Sequence, residues 1–228
     1  MRYLLILLFI ALSFSVVAQN EEPSQKTLHG IYIGVGYSHL AHKFTPNFQS
    51  SFSQNNYKIT NSSGIRFELG LASEIPINKY LFFNNYLGLN RVTQSFTIHN
   101  SDREVFKYNS LTGLGLTEFL GFGIKILDKL RLSALAGLNL GFIRKTTISS
   151  CWYCGEESYE SAINLTNDNL DIYSGAGLDI PLKKSKIGVS YFYNWINVKD
   201  KMRSTIPPSQ FNKLTEHLFT FKITIWLN

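Results

Sequence analysis

Residues 130–142 read LRLSALAGLNLGF, and this stretch decides the fold. Every second position is apolar: Leu130, Leu132, Ala134, Ala136, Leu138, Leu140 and Phe142. Between them stand Arg131, Ser133, Gly137, Asn139 and Gly141, with Leu135 the one apolar intruder. A period of two makes a strand with two unlike faces, because successive side chains point to opposite sides of a pleated chain. The small polar face is the informative one. A water-washed exterior favours Lys, Glu and Thr, whereas Gly, Ser and Asn leave room for something opposite them.

The same alternation recurs outward in both directions. Strands are expected at 30–39, 64–75, 80–96, 112–126, 130–142, 170–182, 187–197 and 217–227. Pro76 to Lys79, Leu127 to Lys129 and Lys183 to Lys186 supply short turns, and Pro76 suits a strand end because it cannot donate to the ladder. The remaining links are long: about two dozen residues from Leu40 to Ser63, about fifteen from Thr97 to Leu111, and about two dozen from Ile143 to Asn169. A fourth of about nineteen runs from Val198 to Glu216. Long and short links alternate, which predicts an all-β, eight-stranded antiparallel up-and-down transmembrane β-barrel. Its long loops would be extracellular and its short turns periplasmic, with both termini on the short-turn side.

A soluble barrel of lipocalin type would turn its apolar residues inward. The Gly-rich polar face argues for the opposite sense, since an eight-strand lumen is just wide enough to be filled by side chains. Arg66, Glu68, Glu74, Lys125, Arg131, Asp171, Asp179 and Lys222 are therefore expected in the lumen, paired across it to avoid isolated buried charge. Two positions break the pattern. Asn85 and Glu118 fall in phase with the apolar face. Either a nearby β-bulge flips them inward or Glu118 lies close to an interface.

Composition agrees. Hydrophobic residues make up 44%, and mean hydropathy is −0.03. Two opposed faces cancel in the average, so a near-neutral value fits a barrel and excludes a helical membrane protein. Aromatics reach 14%, which suits strands and interfacial girdles, with Tyr191, Tyr193 and Trp195 as girdle candidates. At the N-terminus Arg2 precedes an apolar run from Tyr3 to Val17, and Val16 and Ala18 mark a cleavage site. Residues 1–18 are read as a cleaved signal peptide, 19–29 as a short periplasmic segment and 30–228 as the barrel. The net charge of +6 loses one unit with Arg2. No basic stripe with interleaved aromatics points to nucleic acid.

With these strands laid out, the chain resembles the small eight-stranded outer-membrane barrels of OmpA-transmembrane-domain and OmpX type. It is also similar to the outer membrane protein beta-barrel domain family, including PorT-like members. The resemblance covers about Gly30 to Asn228 and rests on pattern and topology. It implies the outer membrane of a Gram-negative bacterium, contact with its lipids, and passage through periplasmic chaperones and the barrel-assembly machinery. One departure is the C-terminus, where the aromatic Trp226 stands third from last.

Local chemistry is sparse. Cys151 and Cys154 have dithiol spacing, but no βαβ pattern surrounds them. A disulfide clipping the loop tip is favoured over redox or metal function. His39 and His42 are spaced to share a metal, although scattered loop histidines are commoner. Gly34 and Gly36, like Gly113 and Gly115, lack the helix and Lys of a phosphate loop. Lys199, Lys201, Arg203 and Lys213 make the last long loop basic; lipopolysaccharide phosphates and plain solvent are equally good partners for it. His99, Ser101 and Asp102 are close in sequence but form no nucleophile motif. No catalytic residue, metal or cofactor is expected. The leading function is a non-enzymatic surface or envelope-interaction role through the loops. A narrow pore comes second and a lipid-modifying enzyme third.

Overall fold

The computed structural model describes residues 26–54, 56–100, 103–127, 129–150, 155–162, 170–196 and 211–227. The elements, in order, are β1 (Leu28–Phe44), α1 (Pro46–Gln54), β2 (Tyr57–Pro76), β3 (Leu81–Asn100), β4 (Arg103–Leu127) and β5 (Leu130–Ser150). They are followed by β6 (Gly155–Ala162), β7 (Leu170–Pro181), β8 (Ser185–Asn194) and β9 (Phe211–Trp226). All pairings are antiparallel. Eight strands close into a ring in the order β1-β2-β3-β4-β5-β7-β8-β9 and back to β1. The expected up-and-down barrel is thus the observed fold. β6 stands outside the ring, paired to the upper part of β5 from Ile143 to Ser150. The predicted signal peptide, Ser101, Asp102, the Cys151–Cys154 pair, Lys199, Lys201 and Arg203 lie outside the described residues.

Closure follows from register. Ile31, Ile33, Val35 and Tyr37 of β1 face the same side as Leu71, Leu69, Phe67 and Ile65 of β2, their direct partners. On the other flank they meet Ile225, Ile223, Phe221 and Phe219 of β9. All twelve are exposed on the outside of the ring. Gly34, Glu68 and Lys222 share the inner face of the same three strands. Inward glycines make room for large neighbours. A Cβ on Gly70 would sit 2.8 Å from the Tyr32 ring, and one on Gly175 would sit 2.9 Å from Phe192. Both are tighter than ordinary van der Waals contact, so Gly is what lets aromatic rings fill so narrow a bore.

Six strands run longer than the alternation predicts, β1 with 17 residues and β9 with 16 among them. β2 and β3 have 20 residues each, β4 has 25 and β5 has 21. The link expected at Thr97 to Leu111 is therefore only residues 101–102. The long-loop end is built largely of strand. The cause is an inversion of the pattern. On β3 the outward residues pass from Leu87 and Leu89 to Arg91 and Thr93. The inward ones pass from Asn84 and Asn90 to Val92, Phe96 and Ile98. Above that level the apolar residues point in. Leu40, Phe44, Phe96, Ile98, Val105, Phe106, Tyr108, Ile148 and Leu214 form one buried cluster, with Phe48, Phe52, Tyr57 and Ile59 packed on it.

α1 caps this cluster. Phe48 and Phe52, one turn apart, place both rings on one face. They lie 5.0 and 4.9 Å from the Phe44 ring centre. Pro46 fits the first turn, where its missing N–H costs nothing. Asn56, with φ of 52°, then reverses the chain into β2 in a left-handed conformation that Asn tolerates. At the opposite end Asn78 closes the β2–β3 turn: its Oδ1 accepts from the Tyr80 and Leu81 N–H groups, each at 2.8 Å.

The register resolves one of the two misfits by elimination. No bulge lies between Gly115 and Lys125 of β4. Glu118 therefore stays in phase with the outward Leu116, Leu120 and Phe122, between its partners Leu87 and Leu138. It is only 8% exposed, covered by neighbouring side chains rather than turned inward. Asn85 keeps the same outward phase opposite Leu120.

Candidate functional site in the barrel interior and at its upper rim

The interior is a stack of polar layers. Nearest the short turns, Glu74 is held between Arg131 and Lys186: Arg131 Nη1 contacts Glu74 Oε1, and Lys186 Nζ is 3.4 Å from Glu74 Oε2. Lys186 also reaches Asp179 Oδ2 at 3.2 Å and Asn84 Oδ1 at 3.4 Å. The Lys186 ammonium lies 5.2 Å from the Tyr86 ring centre and 5.3 Å from Trp226.

The middle layer holds Arg66, Glu68 and Lys222. Arg66 Nε contacts Glu68 Oε1, and Lys222 Nζ is 3.6 Å from Glu68 Oε2. Arg66 is fully buried and donates from Nη2 to Thr117 Oγ1 at 2.6 Å. Lys222 sits among aromatic faces, 4.6 Å from Phe119 and 4.7 Å from Tyr86. Phe119 in turn stacks on Phe192 at 4.4 Å. Burial of a cation this deep is tolerable because a carboxylate and several ring faces replace its water.

The upper layer is a hydrogen-bond chain. Asn90 donates to Asn139 Oδ1 at 2.6 Å and also to Thr117. Asn139 donates to Asp171 at 3.1 Å, and Asn194 bridges Asp171 at 2.7 Å to Glu216 at 3.1 Å. Tyr173 donates to Glu216 at 2.8 Å. Above it begins the apolar cluster beneath α1.

Seven of the eight charges expected in the lumen, Arg66, Glu68, Glu74, Arg131, Asp171, Asp179 and Lys222, are drawn into these layers. Lys125, half-buried, shares their inward phase at the short-turn end of β4, where it pairs in register with Arg131. Sequence reasoning missed Lys186 and Glu216. Lys186 falls in the 183–186 stretch that reads as a turn, although β8 starts at Ser185. Glu216 belongs to the part of β9 below the expected start at His217. Among the described residues no cluster of His, Cys, Asp and Glu is arranged to hold a metal. His39 and His42 do not share a face: His39 Nδ1 is 3.3 Å from Ser62 Oγ, and the His42 ring lies 4.7 Å from Phe44. Packing against Phe44 and Phe96, with His39 nearby, lowers the His42 pKa from its ordinary 6.5.

The upper rim carries the aromatic residues expected of a girdle. Trp195 is exposed and donates from Nε1 to Ser174 Oγ at 2.9 Å. Tyr191 Oη and His217 Nδ1 are 2.6 Å apart. Lys213 donates to Tyr193 Oη at 2.6 Å and lies 5.4 Å from that ring's centre.

Among solved structures the chain is similar to several small outer-membrane proteins. One is Ail, the attachment invasion locus protein of Yersinia pestis, crystallised with the heparin analogue sucrose octasulfate. It shares 15% identity over 89% of this chain and 100% of that one, with a TM-score of 0.46. Neisserial surface protein A shares 11% over 86% and 96%, with a TM-score of 0.35. OprG from Pseudomonas aeruginosa shares 11% over 88% and 91%, with a TM-score of 0.30. No family model and no curated protein sequence matches. The expected kinship with OmpA-type and PorT-like chains thus has no counterpart at the level of sequence. The likeness is one of small β-barrels, and it transfers no residue's role.

Proposed function

We propose that this chain is a non-enzymatic barrel of the Gram-negative outer membrane whose business lies in the extension above the bilayer. The observation that carries the reading is the inverted pattern of the lower ring, apolar outside and charged inside. In water, an exposed apolar belt on every strand of the ring would be a severe aggregation liability. In a bilayer it is the expected surface. Among the described residues β7 and β8 run 12 and 10 residues, close to the roughly 9–11 that a tilted strand needs to cross.

The layered lumen supports a closed rather than a conducting barrel, since each layer spans the bore with paired groups. Export by a cleaved leader, short turns in the periplasm and assembly by the envelope's barrel machinery complete the proposal. The partners proposed are outer-membrane lipids, lipopolysaccharide among them. Fractionation of cell envelopes, with gel mobility compared before and after boiling, tests the reading. Outer-membrane recovery and a boiling-dependent mobility shift are expected. Recovery as a soluble cytosolic or periplasmic protein overturns it.

A further inference from the structure

The first and last strands of the ring, β1 and β9, close it along one seam. Outward-facing partners across that seam run, from the short-turn end, Ile31–Ile225, Ile33–Ile223, Val35–Phe221, Tyr37–Phe219 and then His39–His217. Two imidazoles thus stand directly opposite one another, where cross-strand Cβ atoms lie roughly 4.5–5.5 Å apart. His39 is exposed and His217 is half-buried. Their rung is level with Ser63 of β2, where that strand has turned polar.

Both rings are anchored through the same nitrogen, from opposite flanks. His39 Nδ1 is 3.3 Å from Ser62 Oγ on β2, and His217 Nδ1 is 2.6 Å from Tyr191 Oη on β8. The Tyr193 ring, edge-on with its centre 5.5 Å away, steadies His217 further. Nδ1 and Nε2 lie on opposite sides of an imidazole. β2 and β8 flank the β1–β9 pair on its two outer sides, so the Nδ1 contacts pull outward and turn both Nε2 atoms toward the seam. A hydroxyl that accepts from Nδ1–H selects the tautomer whose Nε2 carries the lone pair. That is how an outer partner orients a metal-ligating histidine.

We propose that His39 and His217 bind one divalent first-row cation, Zn2+ or Cu2+, through their Nε2 atoms across the closing seam. Imidazole nitrogen suits both ions. No third His, Cys, Asp or Glu joins the pair among the described residues, so water completes the coordination shell. Lys213, held by Tyr193, stands two outward rungs away, and its charge weakens the site without filling it. The bound ion ties the first strand of the ring to the last. The proposal goes beyond the membrane reading and stands apart from it, because the ligands and their anchors belong to the sheet itself.

The test uses the mature chain with Cys151 and Cys154 replaced by Ser, refolded in detergent without an affinity tag. The probes are Cu2+ and Zn2+. Electron paramagnetic resonance of the Cu2+-loaded chain should show two equatorial imidazole nitrogens, and Zn2+ should displace the Cu2+. Zn2+ should also raise the midpoint of urea unfolding. His39→Ala and His217→Ala should each lose the two-nitrogen spectrum. Tyr191→Phe should keep it and weaken binding by about tenfold, the low end of what loss of an outer partner costs. His42→Ala, whose ring packs on Phe44, should change neither spectrum nor affinity. One imidazole nitrogen or none in the unsubstituted histidine background overturns the proposal, and that spectrum decides even where a variant fails to refold. A two-nitrogen spectrum that survives either His39→Ala or His217→Ala overturns it as well.

Discussion

The lower ring and the upper extension are made from the same strands and obey opposite rules. Below Asn90 the side chains inside are Arg66, Glu68, Glu74, Asp179, Lys186 and Lys222, and those outside are Ile, Val, Leu and Phe. Above it the inside is Leu40, Phe44, Phe96, Ile98, Phe106 and Tyr108, and the outside carries Lys43, Lys58, Arg91 and Lys107. The backbone ladder is indifferent to this change, because it pairs N–H with C=O whichever way the side chains point. Only the surrounding medium distinguishes the two halves. The difference teaches that alternation encodes the strand, while the polarity of its outer face encodes the solvent.

The comparison is broken most forcefully at the charges. Arg66→Met leaves Glu68 with Lys222 as its one cation among the described residues of the dry bore, and losing one partner of a buried ion pair costs about 3–5 kcal/mol. Urea unfolding of the refolded barrel in lipid vesicles reads this as a lowered midpoint. In the extension the sensitive residue is apolar. Phe96→Ala should cost about 3–5 kcal/mol by cavity formation, but the loss should stay local. Proteolysis of the upper strands should accelerate while the boiling-dependent mobility shift of the ring survives. A loss of that shift would show that the two halves fold as one unit.

Outer-face substitutions sharpen the contrast on a single strand. Leu69→Arg places a cation against hydrocarbon and should destabilise by about 2–4 kcal/mol. Asn61→Arg, eight residues along the same face, should cost about 1 kcal/mol or less, through the two exposed hydrogen bonds its Oδ1 accepts from Ser63. The smallest effect concerns pH. His42 has its pKa lowered within the extension, so the unfolded chain binds its proton more readily. The extension is therefore unaffected above the unfolded value of 6.5 and weakens as pH falls below it. NMR titration of the His42 ring should give a midpoint under 6.5, moving back up in Phe96→Ala.

Much of the ring was legible because most strands of the lower half keep one apolar and one small polar face over about four repeats. The lumen charges followed from the same phase. The extension was not legible, for a physical reason. Following one apolar face from Leu87 and Leu89 leads to Arg91 and Thr93, so the strand seems to end where its medium changes. Register shifts at Ile59–Asn61 and Thr112–Gly115 hide the continuation further. Residues 103–111 then read as loop, although Phe106 and Tyr108 still alternate. Aromatic residues inside the ring were also missed, since Tyr32, Tyr86, Phe119 and Phe192 sit on the face that otherwise carries Gly and charge. Tyr32 fits because Gly70 and Gly88 lie against it, Phe119 because of Gly137 and Phe192 because of Gly175, and those pairings are non-local in sequence. Glu118 kept the outward phase that its sequence position dictates, since of the two alternatives for it the bulge is not found between Gly115 and Lys125.

The central claim is that the solvent changes along β2, from lipid to water. Spin labels at Leu69→Cys and Lys58→Cys, each on a background with Cys151 and Cys154 replaced by Ser, report it in the barrel reconstituted into bilayers. Power saturation with oxygen and with a water-soluble nickel chelate measures which medium each site meets. The account predicts high oxygen and low nickel accessibility at 69, and the reverse at 58. High nickel accessibility at both positions would contradict it, leaving a ring whose apolar face meets water.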